Sequence, residues 1–110
     1  MTTDAFKQYL AELSAEYRDG LPGKLAEVDG LWQTFIAEGT SAELLHALQR
    51  KLHTLAGSAK TFGFAGVSVA ARAAEEFLDP FTTGGTLPDS VARDVLVQLL
   101  DALRQSASIQ

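Results

Sequence analysis

The sequence predicts an all-α protein, an antiparallel four-helix bundle with an additional N-terminal helix that caps one end. Apolar residues recur every three to four positions along most of the 110 residues. No stretch alternates apolar and polar residues for long, as a half-buried strand would. Short connections containing Gly and Pro separate the candidate helices, which favours antiparallel neighbours. The length suits one domain, so we expect residues 1–110 to form a single bundle.

The N-terminal third is predicted to hold the capping helix and the first bundle helix. Asp4 can cap a helix that runs to about Arg18. Asp19-Gly20 interrupts it, and Pro22 suits the first turn of a second helix that reaches about Glu38. The interruption is soft, and the two segments also fit one kinked helix.

A central helix is predicted from Ser41 to Phe62. Thr40 is the candidate N-cap, with Glu43 reaching back to form a capping box. Gly63 is a candidate left-handed residue at the C-terminal end of this helix.

Two further helices complete the predicted bundle. One spans roughly 67–78 and is rich in alanine, so a neighbouring helix can approach it closely; Asp79-Pro80 should end it. Residues 81–86 then form a loop. Residues 87–89 open the last helix, and the tail 106–110 is expected to fray.

The composition of the chain argues against several classes of function. A net charge of −5 argues against a nucleic-acid binder, which needs a basic surface. The absence of cysteine excludes disulfides, cysteine-zinc sites and thiol nucleophiles. The N-terminus lacks the apolar segment of a signal peptide, and no apolar run is long enough to span a membrane. We therefore expect a cytoplasmic monomer.

The central helix has two chemically different sides. At about 100° per residue, one side is apolar and predicted to face the core; it carries Leu44, Leu48, Leu52, Leu55, Ala59 and Phe62. The opposite, solvent-facing side carries His46, Gln49, Arg50, His53, Gly57 and Lys60.

Gly57 is the unusual residue on the solvent-facing side. Glycine inside a helix costs roughly 0.5–1 kcal/mol relative to alanine, and room beside the His53 imidazole is the simplest compensation. Lys60 lies two turns on, nearly in line with His53, and its stem can bring an ammonium close to the ring. A neutral imidazole can accept a phosphoryl group and pass it on. An ordinary solvated histidine is the alternative.

The segment His53-Thr54-Leu55-Ala56-Gly57-Ser58-Ala59, followed by Phe62-Gly63-Phe64, resembles the signature of histidine-containing phosphotransfer (HPt) domains. That pattern has a histidine, an aliphatic residue two positions on, usually a lysine three on, a glycine four on, small residues five and six on, and a glycine ten on. The chain matches it at His53, Leu55, Gly57, Ser58, Ala59 and Gly63. Chain length and helix order extend the resemblance to nearly the whole sequence.

The resemblance implies roles for three residues. His53 would be the phosphorylated residue, and Gly57 would give the phosphoryl group steric access. A hydrogen-bonding residue 22 positions beyond the histidine would orient the ring; that residue is Glu75, for which an ordinary solvated glutamate is the alternative. The usual lysine is replaced by Ala56, so Lys60 or, second, Arg50 would supply the cation.

The resemblance also implies the partners, which are response-regulator receiver domains and a histidine kinase. The chain would need no cofactor or metal, since the Mg²⁺ would belong to the partner. It would not be an enzyme by itself, because no phosphate-binding loop follows a strand. The docking surface would comprise Gln49, Arg50 and Lys60, with Phe64 as an exposed apolar anchor and His46 as a secondary contact.

Three alternatives concern the same residues. A non-catalytic helical adaptor or dimerisation bundle would explain everything except Gly57 and the fixed spacing around His53. A histidine-dependent hydrolase lacks a second convergent group, because Ser58 lies about 140° around the helix from His53. A zinc site on His46 and His53 fails, because their separation of about 10 Å along the axis is too long.

Overall fold

The computed structural model describes residues 2–38 and 41–109. These form four helices and no strand, which confirms the all-α prediction. The helices are α1 (Thr2–Glu38), α2 (Ala42–Thr61), α3 (Ala65–Gly84) and α4 (Ser90–Ile109). Within the described residues, none of the helices combines the length and apolar character that crossing a membrane requires.

Contacts between the helices show that neighbours run antiparallel. On α2 and α3 the partners are Gln49 with Asp79 and the Ala56 carbonyl with Ser68; on α1 and α2 they are Glu27 with Lys51 and Tyr17 with Ser58. On α1 and α4 they are Asp29 with Arg104 and Phe35 with Arg93. In each pair, residue numbers rise along one helix as they fall along the other, so the chain packs as an up-down-up-down bundle with short connections.

One apolar core lies between the four helices. Its largest fully buried side chains are Phe35, Leu45, Leu48, Leu52, Leu78, Leu96, Leu100 and Leu103. The predicted apolar side of α2 is rotated slightly: Leu45 and Ala56 are buried, whereas Leu44 and Phe62 are only partly buried. His53 still points away from the core, as the periodicity predicted.

α1 is one continuous helix, so the additional N-terminal capping helix is not a separate element of the structure. Pro22 lies inside it and removes one backbone hydrogen bond. Tyr17, Leu21 and Val28, on either side of that break, are all buried on the same core, and this shared packing keeps the two segments in line. At 37 residues, α1 is about 55 Å long, which matches the longest dimension of the molecule, 56 Å.

The ends of α2 are fixed by local hydrogen bonds. Ser41 is the N-cap, because its hydroxyl accepts from the Leu44 N–H at 3.3 Å; the predicted cap, Thr40, lies outside the described residues. At the other end Gly63 has φ +86° and donates to the Lys60 carbonyl, while the Phe64 N–H donates to the Ala59 carbonyl. This pair of bonds is a Schellman motif, and the prediction of a left-handed Gly63 is confirmed.

α3 continues past the position where the sequence predicted its end. Pro80 lies within the helix, and the last turn persists because Phe81 packs against Phe77 at 5.7 Å and the Thr82 hydroxyl reaches Gln49 of α2. Gly85, with φ +71°, provides the actual stop. Residues 81–84 are therefore helical, and the predicted loop is correspondingly shorter.

α4 begins at Ser90, where the Asp89 carboxylate accepts from the Ala92 N–H at 2.9 Å. It extends to Ile109, so residues 106–109 of the tail that was expected to fray are helical, and Gln110 lies outside the described residues. Ala107 packs against the core, which gives the last turns a tertiary partner.

The ion pair between Lys51 of α2 and Glu27 of α1 makes folding stability depend on pH. Their atoms Nζ and Oε2 lie 2.5 Å apart, and the hydrogen bond from Lys51, aided by its charge, holds the pKa of the Glu27 carboxyl below its ordinary value. A lowered folded-state pKa stabilises the fold above the unfolded-state value, about 4.3, and this contribution is lost as the pH falls through the folded-state pKa.

We therefore expect Glu27→Gln to destabilise the bundle at pH 7 and to have little effect near pH 3. Thermal unfolding followed by circular dichroism at both pH values measures the difference. Glu12→Gln is the matched control, because Glu12 also lies on α1 but forms no ion pair with any described residue. An equal effect of Glu27→Gln at the two pH values would contradict the assignment.

Candidate functional site

His53 and Glu75 form the centre of the candidate site. The His53 side chain is 68% exposed, and its Nδ1 lies 2.7 Å from Oε2 of Glu75 on α3. A carboxylate only accepts hydrogen bonds, so Nδ1–H donates. In the neutral ring, the lone pair then resides on Nε2, the nitrogen not engaged by Glu75.

Small residues bring α3 close enough for this contact. Ala56 and Ala59 of α2, and Ala71 and Ala74 of α3, are completely buried. The buried Ser68 hydroxyl donates to the Ala56 carbonyl at 2.7 Å, which fixes the two helices in register. That register places position 75 opposite position 53.

The two oxygens of Glu75 have different surroundings. Oε2 accepts from His53, while Oε1 is buried and has no hydrogen-bond partner among the described residues. The side chain as a whole is 16% exposed, and Nη1 of Arg72, one turn earlier on α3, lies 4.0 Å from Oε1. The sequence reasoning missed Arg72, although its i, i+3 spacing from Glu75 was a signal that could have found it.

Gln49 and Arg50 line the same shallow groove as His53 and Glu75. The Gln49 amide is occupied by α3, since it donates to Asp79 at 3.1 Å and accepts from Thr82 at 2.5 Å. Arg50 is exposed and forms no ion pair within the described residues. Gln49 therefore steadies the helix pair, and Arg50 is an available cation at the edge of the groove.

Lys60 and His46 lie on the exposed side of α2, outside the His53 groove. Lys60 lines a neighbouring depression together with Arg72 and Glu76. It has no ion pair among the described residues, and neither does His46. Glu75 thus contacts His53, whereas Lys60 and His46 lie apart from that pair.

Phe64 is a correction to the predicted site. It is 7% exposed and packs in the core, with its ring centroid 5.4 Å from that of Tyr17. The expectation of an exposed anchor assumed that the helix continues to residue 64. Gly63 instead turns the chain, and the Schellman motif directs Phe64 towards the buried Ala59.

Gly57 is exposed, and a Cβ built on it would have no neighbour within 4 Å. The surface beside His53 is therefore open at this position.

The Hpt domain profile matches residues 4–106 of the chain. The chain belongs to the Hpt domain family. Hpt domains are histidine phosphotransfer modules of phosphorelays, which carry phosphoryl groups and interact with kinases and receiver domains. Among curated proteins, none matches the chain.

This Hpt domain departs from the family pattern at Ala56, and the structure gives a physical reason for a small residue there. Ala56 is fully buried beneath α3, and its carbonyl accepts from Ser68. A lysine at this position would have to extend out of the contact between α2 and α3 to keep its charge in water.

We expect Gly57→Leu to fold normally and to slow phosphotransfer by about tenfold or more, because small displacements at a reacting centre are costly. The helix should gain roughly 0.5–1 kcal/mol from the loss of glycine. Phosphotransfer kinetics and thermal unfolding measure the two effects.

Gly30→Leu on α1 is the matched control for Gly57→Leu. Gly30 is also exposed, has no neighbour within 4 Å of a built Cβ, and accepts from the threonine four residues on, as Gly57 does. Gly30→Leu should stabilise α1 without changing the rate of phosphotransfer. Unchanged transfer in Gly57→Leu would refute the role of steric access.

Proposed function

We propose that this Hpt domain accepts a phosphoryl group on Nε2 of His53 and relays it to or from receiver-domain aspartates. The observation that carries the proposal is the 2.7 Å contact between His53 Nδ1 and Glu75 Oε2. This contact favours a proton on Nδ1, which would leave Nε2 as the nucleophile. The match to the Hpt family and the exposure of the ring support the same role.

The Nε2 lone pair attacks the phosphorus of an aspartyl phosphate on the partner, the N–P bond forms, and the P–O bond to the aspartate carboxylate breaks. The ring becomes a phosphoimidazolium that retains its proton on Nδ1. Glu75 stabilises that positive charge through the same hydrogen bond. Return of the phosphoryl group to a second aspartate reverses these changes, and a kinase-bound ATP is the alternative donor.

The proposed docking surface is the exposed side of α2 around His53. It comprises His46, Gln49, Arg50, Gly57 and Lys60, and Phe64 is no longer part of it. Arg50 and Lys60 lack ion-pair partners among the described residues, so their charges are free to attract a phosphorylated receiver. Lys60 remains the proposed cation for the transferred group. The metal required for receiver chemistry would come from the partner.

Phosphotransfer assays test the nucleophile directly. Incubation with a phosphorylated receiver domain should give the wild-type chain an acid-labile, base-stable label. His53→Gln should remain unlabelled while folding normally by circular dichroism. His46→Gln, which removes the other of the two histidines, should still be labelled at His53. Label persisting in His53→Gln would disprove the assignment, and an unlabelled wild-type chain would favour a non-catalytic adaptor.

We expect Glu75→Ala to slow transfer roughly three- to tenfold without unfolding the bundle, since tenfold in rate corresponds to about 1.4 kcal/mol of barrier. The loss arises because His53 keeps its nucleophilic nitrogen but loses the group that orients the ring. Transfer kinetics alongside circular dichroism measure both properties. Glu76→Ala, the adjacent exposed glutamate, removes the same charge and should leave the rate unchanged. A Glu75→Ala rate equal to wild type would argue that the contact is incidental.

A further inference from the structure

We propose that Arg72 is a positioning residue of this site, which acts on His53 through Glu75; the inference rests on the proposed function of His53. Arg72 lies one turn before Glu75 on α3, and its Nη1 is 4.0 Å from Glu75 Oε1. The other carboxylate oxygen, Oε2, is the one that accepts from His53. Each oxygen of Glu75 thus faces a different nitrogen-bearing side chain.

The need for a partner at Oε1 follows from its burial. Oε1 is shielded from solvent and accepts no hydrogen bond from any described residue. A buried carboxylate oxygen without a donor or nearby cation is unfavourable, because the lost hydration is not replaced. The Arg72 guanidinium is the closest compensating charge, and its side chain is 47% exposed, so it has room to move onto Oε1.

The other cations around the site are less well placed. Arg50 lines the His53 groove but has no ion pair with Glu75, and Lys51 is paired with Glu27 on α1. Lys60 lines the depression next to Arg72 and likewise forms no ion pair with Glu75. Within residues 2–38 and 41–109, Arg72 is therefore the cationic side chain on Oε1.

The register of α2 and α3 also places Arg72 close to the position where the family pattern usually has a lysine. Ser68 contacts Ala56 and Glu75 contacts His53, so Arg72 lies on α3 beside the stretch of α2 between those two residues. That stretch carries Ala56 in place of the family's usual lysine. Arg72 is thus a cation of α3 that acts on the carboxylate orienting the ring, whereas Lys60 of α2 remains the proposed cation for the phosphoryl group.

The tautomer of His53 gives a readout that a merely structural role would not change. Without Arg72, the buried Oε1 would have no nearby cation, so the carboxylate would turn to hydrate Oε1 and Oε2 would move away from Nδ1–H. We expect Arg72→Gln to lower the Nδ1–H population of neutral His53, measured by ¹⁵N NMR of the imidazole at alkaline pH, and to slow phosphotransfer roughly three- to tenfold. Arg72→Lys should restore part of both properties.

Arg18→Gln is the charge-matched control. Arg18 Nε also lies 4.0 Å from a carboxylate oxygen, that of Asp19 on α1, so the substitution removes the same charge from an equally loose pair. Arg18→Gln should change neither the tautomer of His53 nor the rate of phosphotransfer. Arg72→Gln should keep the helical circular dichroism of wild type. If Arg72→Gln unfolds, the tautomer and the transfer rate are measured in Arg72→Lys instead.

A double-mutant cycle separates action through Glu75 from direct action on the phosphoryl group. In a Glu75→Gln background, Arg72→Gln should slow transfer by less than twofold, because the group it positions is already altered. If Arg72→Gln slowed transfer a further three- to tenfold in the Glu75→Gln background, or if Arg72→Gln left the His53 tautomer unchanged, the proposal would be overturned. Since the tautomer is measured without any partner, it tests Arg72 even where phosphorylation of His53 fails.

Discussion

The close contact of α2 with α3 is the constraint on which the site depends. Fully buried alanines on both helices, together with the hydrogen bond from Ser68 to the Ala56 carbonyl, set the spacing and the register. Only with this spacing can a glutamate side chain from α3 reach an imidazole on the exposed side of α2. The leucine core stabilises the bundle as a whole, but the alanine contact determines which residues meet at its surface.

Periodicity, with the resemblance to Hpt domains, was sufficient to predict most of the architecture and the centre of the site. The 3.6-residue repeat separated the leucine side of α2 from the side that carries His53, and the structure has His53 exposed. The resemblance to Hpt domains added Glu75 at a fixed spacing, and the structure places its carboxylate 2.7 Å from the ring. Periodicity therefore accounts for the exposure of His53, whereas Glu75 came from the resemblance alone, because the register between α2 and α3 is not a property of either helix by itself.

The errors arise where tertiary packing overrides local signals. The predicted interruption at Asp19-Gly20 and the predicted stop at Asp79-Pro80 do not occur, because α1 packs on the core on both sides of Pro22 and the last turn of α3 contacts Phe77 and Gln49; the alternative of one helix fits α1. Phe64 was assigned to the surface by extending the helix across Gly63, whose positive φ redirects the chain. The i, i+3 spacing is enough to pair Arg72 with Glu75, but the burial of Oε1, on which the proposed role of Arg72 rests, is not visible in the sequence.

The placement of His53 on a single exposed surface has a kinetic consequence for a relay module. One ring nitrogen is bonded to Glu75 of α3, so on the proposed function every partner would approach the other nitrogen from the same side. A donor and an acceptor could then not be bound together, and each would have to dissociate before the next arrives. Very tight binding to either partner would therefore slow the proposed relay.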